Sequence, residues 1–253
     1  MRVKNKVVIV TGAASGIGET TAQVFAEQGG KVVVADIDAK GGEKNVATIK
    51  SKGGQAIFVQ ADISKETDAK HVVDEAVKAF GGVHILVNNA ATFVLKGIEA
   101  TVEEWNRSLG VNVIGTAMMT KYAVTEMKKA GGGAVVNLGS ISAFCAQPDF
   151  YAYSATKAAL VQMTRNMAMD FGPHNIRVNA VCPGLIITPA SRNHIAKLGL
   201  TVEQYSAQEG AKTFLGRAGN TREVANAILF LASDEASYIS GAYLMVDGGY
   251  AAI

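Results

Sequence analysis

Two residues four positions apart, Tyr153 and Lys157, have the types and the spacing that acid–base chemistry requires. Within a helix, this spacing places both side chains on one face. A nearby ammonium group favours the phenolate, so we expect the lysine to lower the tyrosine pKa from its ordinary value of about 10. Such a tyrosine can exchange a proton with a hydroxyl or a carbonyl group. A solvated Tyr–Lys pair is the alternative, and Tyr151 is a poorer candidate because alanine stands four residues after it.

A glycine-rich turn near the N-terminus is a second site of interest. Gly12, Gly16 and Gly18 follow a β-branched run and precede a helical pattern, and glycine lets the backbone turn sharply and approach a ligand closely. The N-terminus of a helix offers unpaired N–H groups and a partial positive charge, which suit a pyrophosphate. The spacing is G-x-x-x-G-x-G, whereas the commoner dinucleotide pattern is G-x-G-x-x-G. A glycine-rich connection without a ligand is the alternative.

Asp36 ends the next β-branched run. A carboxylate at this position can accept hydrogen bonds from the adenosine ribose hydroxyls of a dinucleotide. The same carboxylate repels the 2′-phosphate of NADP, which is also an anion. The sequence therefore predicts NAD as the cofactor. The alternative is an aspartate that only starts a turn at the end of a strand.

The framework for these residues is predicted by an alternation of two patterns. Seven short apolar runs predict strands buried on both faces, at residues 7–10, 32–34, 57–59, 85–87, 135–138, 178–181 and 244–246. Helical patterns lie at residues 17–28, 43–50, 67–80, 103–129, 152–171 and 221–232. This alternation predicts a single α/β domain over residues 1–253, with a seven-stranded parallel sheet and helices on both faces. Residues 184–216 contain no strand pattern and are interpreted as a lid over the site.

The composition argues against several other classes of protein. Of 253 residues, 49% are hydrophobic, and the 24 basic and 22 acidic residues nearly balance. This balance gives no basic surface for a nucleic acid, and no apolar run is long enough for a membrane span. Cys145 and Cys182 form no metal-binding or disulfide pattern and the four histidines have no metal-ligand spacing, so no metal is expected. Without a signal-peptide pattern, the protein is expected in the cytoplasm.

The glycine turn and the Tyr153–Lys157 pair together resemble the short-chain dehydrogenase/reductase family in its compact form, with a Rossmann-type doubly wound sheet. The resemblance covers the whole chain, and Ser140 lies before Tyr153 at the distance that is usual in the family. The other matching positions are Asn112, Asp62 with Ile63, residues 88–90, Pro183 and Gly184 with Ile186 and Thr188, and residues 246–249. One position departs, because Ala91 stands where the family usually has glycine, and this puts the shape of the pocket in doubt.

The resemblance implies a role for each matching residue. NAD would be held by Gly12, Ser15, Gly16, Ile17, Gly18, Asp36, Asp62, Ile63, Asn89, Tyr153, Lys157, Pro183, Gly184, Ile186 and Thr188. In catalysis, Tyr153 would act as acid and base, Lys157 would hold the nicotinamide ribose, Ser140 would bind the substrate oxygen and Asn112 would anchor a relay water. The resemblance also implies a homotetramer, in which the long helices and the end of the chain pair the subunits.

The substrate is less constrained by the sequence. The residues expected around the pocket are largely apolar: Thr92, Phe93, Val94, Ala143, Phe144, Cys145, Gln147, Tyr151 and Leu185. They favour a neutral, moderately apolar secondary alcohol or ketone, and the resemblance adds cyclic alcohols and dihydrodiols. Arg192, His194 and Lys197 in the lid could instead hold an anion. Two alternatives stay open: a 3-oxoacyl thioester reductase, and a catalytically silent nicotinamide-binding regulator, although such a regulator should lack Ser140, Tyr153 or Lys157.

Overall fold

The computed structural model describes residues 1–252, apart from the side chains of His194 and Lys197. Seven strands form one sheet: β1 Val7–Thr11, β2 Lys31–Asp36, β3 Gln55–Gln60, β4 Ile85–Asn88, β5 Gly133–Leu138, β6 Ile176–Pro183 and β7 Tyr243–Val246. Every pairing is parallel, and the strand order is β3-β2-β1-β4-β5-β6-β7. The predicted seven-stranded parallel α/β fold is confirmed.

Nine α-helices surround the sheet in the described part of the chain. They are α1 Gly16–Glu27, α2 Ala39–Ser51, α3 Glu66–Phe80, α4 Val102–Leu109, α5 Thr116–Lys129, α6 Tyr151–Phe171, α7 Pro189–Lys197, α8 Val202–Gly210 and α9 Thr221–Ala232. Two of them, α7 and α8, lie in the segment 184–216. None of the described helices is long and apolar enough to cross a membrane.

Both faces of the sheet are buried, which explains the continuous apolar runs. In β1, Val8 and Val10 pack with Phe25 of α1 and Ile228 of α9 on one face. Val7 and Ile9 pack on the other face, in the cluster that includes α3 and α5. Burial of each such side chain contributes about 1.5–3 kcal/mol to the free energy of unfolding. A strand with polar residues at every second position would lose the apolar packing on one face of the sheet.

The strand order reverses between β1 and β4. The chain builds outward from β1 to β3, and then crosses back to place β4 on the other side of β1. In open α/β sheets, the crevice at the carboxyl ends of the two strands at this point is where ligands bind. Residues of the glycine turn follow β1, and Asn89 follows β4, so both flank this crevice.

Buried polar side chains fix α5 and α6 against the centre of the sheet. Asn88 Nδ2 donates to Thr120 Oγ1 in α5 (3.0 Å) and to Asn137 Oδ1 in β5 (2.9 Å). Asn137 Nδ2 in turn donates to Thr164 Oγ1 in α6 over 2.9 Å. Hydrogen bonds between buried groups require specific geometry, so this network fixes the position of α6 against the sheet. This is the helix that carries Tyr153.

One predicted helix, residues 103–129, is wrong as a single α-helix. The structure has a π-helical turn, Gly110–Gly115, between α4 and α5. Asn112 lies in this turn, and its side chain bonds to Thr92 and Thr156 rather than to its own helix. Such wide turns occur frequently at functional sites.

Candidate active site

The glycine turn forms a closely packed loop between β1 and α1. Gly12 and Gly16 have φ values of +64° and +62°, which side chains with a Cβ rarely adopt. A Cβ on Gly18 would lie 2.1 Å from the carbonyl oxygen of Gly12. Asn89 closes the loop from the β4 side, because its Nδ2 donates to the carbonyl oxygens of Thr11 and Gly12, each over 2.9 Å.

The start of α1 meets the requirements for binding a pyrophosphate. The N-cap residue, Ser15, is exposed and its side chain caps no N–H group of the helix. Ile17 and Gly18 follow in the first turn, where amide N–H groups point out of the helix. Glycine at positions 12 and 18 lets the turn pack this closely against residues 89 and 90 and against itself, and the exposed start of α1 fits the pyrophosphate of a dinucleotide.

Asp36 has a contact that its position in the sequence does not reveal. Its Oδ2 accepts a hydrogen bond from the amide of Ala14 in the glycine turn (2.9 Å), and its Oδ1 accepts one from the amide of Asp38 (2.9 Å). The carboxylate therefore braces the glycine turn. Each oxygen still has a free acceptor site, so binding of ribose hydroxyls remains compatible with this geometry.

Two further segments flank the crevice. Asp62 accepts hydrogen bonds from the amide and hydroxyl of Ser64 (3.1 and 2.7 Å), next to the buried Ile63. After β6, Pro183 leads to Gly184, whose amide donates to the carbonyl oxygen of Val246 over 3.0 Å.

The segment after Gly184 returns to the glycine turn. Ile186 forms an isolated parallel bridge with Gly219. The amide of Thr188 donates to the hydroxyl of Ser191 over 2.7 Å. A Cβ on Gly16 would lie 3.6 Å from Thr188 Cβ, so two of the residues predicted to hold NAD, from distant parts of the sequence, lie together.

Tyr153 and Lys157 lie in the first two turns of α6 and are both buried. The ring of Tyr153 stacks on Phe93, with centroids 5.0 Å apart, and contacts the edge of Phe150. Lys157 Nζ lies 5.5 Å from the centroid of the Tyr153 ring and donates to the carbonyl oxygen of Leu138 over 2.6 Å. The predicted shared helix face is confirmed.

Burial dominates the electrostatics of this pair. Desolvation raises the pKa of Tyr153 to about 12, although the nearby Ser140 hydroxyl acts in the opposite direction. Desolvation also lowers the pKa of Lys157 to about 8. The expected lowering of the tyrosine pKa by the lysine is therefore not found: desolvation of the phenol is the largest influence, and the opposing influence comes from Ser140 rather than from Lys157.

Replacing Lys157 by methionine is expected to stabilise the fold. The lysine pKa is lower in the folded state than its ordinary 10.5, so the buried ammonium costs stability below pH 8, and this cost fades as pH rises to 10.5. After allowance for the lost bond to Leu138, we expect Lys157→Met to raise the free energy of unfolding by about 2 kcal/mol at pH 7. Denaturant titrations at pH 7 and pH 10, at one protein concentration, measure the difference.

The exposed Lys44 provides the matched control for this experiment. Lys44→Met should give no pH-dependent gain. A Lys157→Met protein that is less stable than the wild type at pH 7, or whose difference from it does not shrink at pH 10, would contradict the interpretation.

Ser140 belongs to a chain of three polar side chains. Its Oγ lies 3.0 Å from Ser142 Oγ and accepts a hydrogen bond from the amide of Ser142 over 3.1 Å. The Ser142 hydroxyl donates to Oε1 of Gln147. Of the two serines, Ser140 is the one that influences the pKa of Tyr153, in agreement with the choice made on spacing.

Asn112 is completely buried and fully hydrogen-bonded within the protein. Its Oδ1 accepts from the amide of Thr92 (2.8 Å), and its Nδ2 donates to the carbonyl oxygen of Thr92 and to Thr156 Oγ1, each over 3.0 Å. Thr156 lies between Tyr153 and Lys157 in α6, so Asn112 connects the π-helical turn to the helix that carries the pair. The sequence analysis did not predict a role for Thr156. Its contact with Asn112 becomes visible only once the π-helical turn is known.

The surroundings of Tyr153 are aromatic and partly exposed. Phe93 is 50% exposed although it stacks on the buried Tyr153, and Phe150, which was not predicted, also contacts the Tyr153 ring. Phe144 is 42% exposed, and its ring packs against Tyr243 of β7. Arg192 is exposed in α7, whereas the side chains of His194 and Lys197 lie outside the described part. Among the described residues, no group of histidine, cysteine and carboxylate side chains could hold a metal ion.

The chain is similar to known proteins over nearly its whole length. A family model described as enoyl-(acyl carrier protein) reductase matches residues 12–251. An uncharacterized oxidoreductase of Thermotoga maritima is 41% identical over the whole of both chains. Cis-4-hydroxycyclohexanecarboxylate dehydrogenase of Sinomonas cyclohexanicum is 39% identical over 98% of this chain and 97% of its own. Cyclopentanol dehydrogenase of a Comamonas species is also 39% identical, over 99% of both chains.

Proposed function

The chain belongs to the short-chain dehydrogenase/reductase family of oxidoreductases, and we propose that it uses NAD to interconvert a cyclic secondary alcohol and the corresponding ketone. The observation that carries this proposal is the buried Tyr153, with Ser140 and Lys157 beside it, at the carboxyl edge of the sheet. The relatives named for cyclohexane and cyclopentane alcohols support the substrate class. The aromatic surroundings of Tyr153 suit an apolar ring.

In the proposed mechanism, the protein positions the substrate oxygen and handles its proton. The bound nicotinamide would supply the hydride chemistry. Tyr153 Oη would give its proton to the carbonyl oxygen during reduction and take the hydroxyl proton during oxidation. Because its pKa is about 12, the phenol holds its proton at neutral pH and is ready to donate it. Ser140 would hydrogen-bond the same oxygen and stabilise the charge that develops there.

The remaining site residues would bind the cofactor and support the helix. Lys157 would hold the nicotinamide ribose, and the first turn of α1 would hold the pyrophosphate. Asn112 would anchor a water in a proton relay, although its side chain already bonds to Thr92 and Thr156. Residues 184–216, with α7 and α8, would act as a lid that excludes water from the site.

An absorbance assay of NAD reduction tests the proposal. We expect turnover of cyclopentanol and cyclohexanol, with little turnover of linear primary alcohols. The description of the matching family model favours a second candidate, a reductase of acyl thioesters, so the assay includes an acetoacetyl thioester with NADH and with NADPH. Turnover of the thioester alone would replace the alcohol proposal, and binding of NAD without any turnover would favour a regulatory protein.

We also propose that the protein is a homotetramer. A groove of about 500 Å³ runs along α6, lined by Ala159, Gln162, Met163, Asn166, Met167 and Asp170. Met169 is 72% exposed on the same helix, and β7 is an edge strand of the sheet whose Tyr243 and Leu244 are exposed. Apolar grooves and open edges of this kind suit a second copy of the chain. The cytoplasmic location stays a prediction.

Sedimentation at micromolar concentration tests this assembly, and we expect a tetramer. Met169→Glu should shift the distribution towards smaller species, because a carboxylate would be buried at the contact. A wild-type monomer would contradict the proposal.

A further inference from the structure

Gln147 is fixed next to the serine that the proposed function assigns to the reacting oxygen. Its Oε1 accepts a hydrogen bond from the hydroxyl of Ser142, and Ser142 Oγ lies 3.0 Å from Ser140 Oγ. Ser142 and Ser140 are both buried, so the hydrogen bonds between these side chains lie inside the protein. The amide of Gln147 is therefore only two hydrogen bonds away from Ser140.

The other end of this amide has no partner. Gln147 Nε2 makes no hydrogen bond to any residue in the described part of the chain. The nitrogen is not sealed from solvent, and the side chain as a whole is half-buried. Ser142 Oγ accepts a hydrogen bond from the Ser140 hydroxyl and donates one to Gln147 Oε1. In this arrangement the NH₂ group of Gln147 keeps both of its N–H donors for a ligand.

We infer that Gln147 determines specificity, by donating a hydrogen bond from Nε2 to a second, neutral oxygen of the substrate. This inference rests on the proposed function and narrows its substrate class to cyclic alcohols that carry another hydroxyl or carbonyl group.

The charge around Gln147 favours a neutral group over a carboxylate. The amide itself is uncharged, and Asp149, two residues further along, carries a negative charge and is exposed. In the sequence, this segment is flanked by Phe144 and Phe150. None of these three neighbours carries a positive charge, so a carboxylate would lose part of its hydration without compensation from them.

The test compares substrates with one and with two oxygens. We expect the wild type to have a higher kcat/KM for cyclohexanediols and hydroxycyclohexanones than for cyclohexanol, and Gln147→Met to lower this ratio about tenfold. Gln147→Glu keeps an oxygen for Ser142 but has no NH₂ group, so it should lower the ratio to a similar degree. Gln55→Met, an exposed glutamine at the amino end of β3, should leave the ratio unchanged.

Three results would overturn the inference. If both Gln147 variants lose activity equally on one-oxygen and two-oxygen substrates, the ratio stays constant and Gln147 only supports Ser140. A wild type that prefers hydroxycyclohexanecarboxylate to the diols would refute the neutral second oxygen. A wild type that oxidises none of these alcohols with NAD would overturn the proposed function and this inference with it.

Discussion

Tyr153→Phe is expected to lower kcat by at least ~10²-fold, the usual contribution of a positioned acid or base, while NAD binding survives. The variant removes only the phenolic oxygen. The phenylalanine ring can keep the stacking contact with Phe93 and the edge contact with Phe150, so the shape of the site should be preserved. Steady-state kinetics with a cyclic alcohol measure the loss, and NADH fluorescence titration or calorimetry with NAD measures the binding.

Tyr151 offers the matched control for this experiment. It is the neighbouring tyrosine in α6, and its side chain is 55% exposed. Tyr151→Phe should therefore retain most of the activity. Near wild-type turnover by Tyr153→Phe, or an equal loss in both variants, would show that the proton is handled by another group.

The pKa of Tyr153 also predicts how the rate depends on pH. Tyr153 has a pKa of about 12 and is protonated at neutral pH, so the reduction of a ketone should not require a pH above neutral. Oxidation of an alcohol needs the phenolate, and its rate should rise with pH as that fraction increases. The raised pKa of Tyr153 differs from the lowered pKa that the Tyr–Lys spacing predicts, because the spacing gives the proximity of the lysine but not the burial of the phenol.

Most of the sheet could be predicted because its strands are buried on both faces. The run of residues 7–10 has no polar position, and the structure places Val8 and Val10 in one layer and Val7 and Ile9 in the other. The pattern therefore predicted both the location of the strand and its parallel pairing. The start of α2 was less visible, because its first turn contains two glycines and depends on Asp38, which accepts a hydrogen bond from the amide of Gly41.

The features that escaped prediction depend on contacts between residues distant in sequence. The π-helical turn is held by Asn112, whose partners Thr92 and Thr156 are 20 and 44 residues away. The pattern of residues 103–129 is helical throughout and gives no sign of these contacts. The hydrogen bond from the Ala14 amide to Asp36 is likewise formed only when β1 and β2 pair.

The choice of cofactor should depend on the charge of Asp36. We expect the wild type to prefer NAD over NADP by at least ~10-fold in kcat/KM, which requires only about 1.4 kcal/mol. Two like charges about 4 Å apart near a protein surface repel by about 4 kcal/mol, so a carboxylate beside a 2′-phosphate supplies more than this difference. Ser15 and Ile37 are exposed next to it and carry no charge that could compensate.

Reversing the preference requires a variant that leaves the glycine turn intact. Asp36→Ala removes the repulsion but also removes the acceptor for the Ala14 amide, so Asp36→Ala with Ile37→Arg should narrow or invert the preference while weakening both cofactors. Asp36→Asn with Ile37→Arg keeps an acceptor and supplies a planar partner for phosphate, so it should favour NADP with less loss of total activity. Asp38→Asn makes the matched change two residues away, at the cap of α2, and should leave the preference unchanged. Equal kcat/KM values for the two cofactors in the wild type, or a preference for NADP, would show that Asp36 serves the turn alone and does not face the ribose.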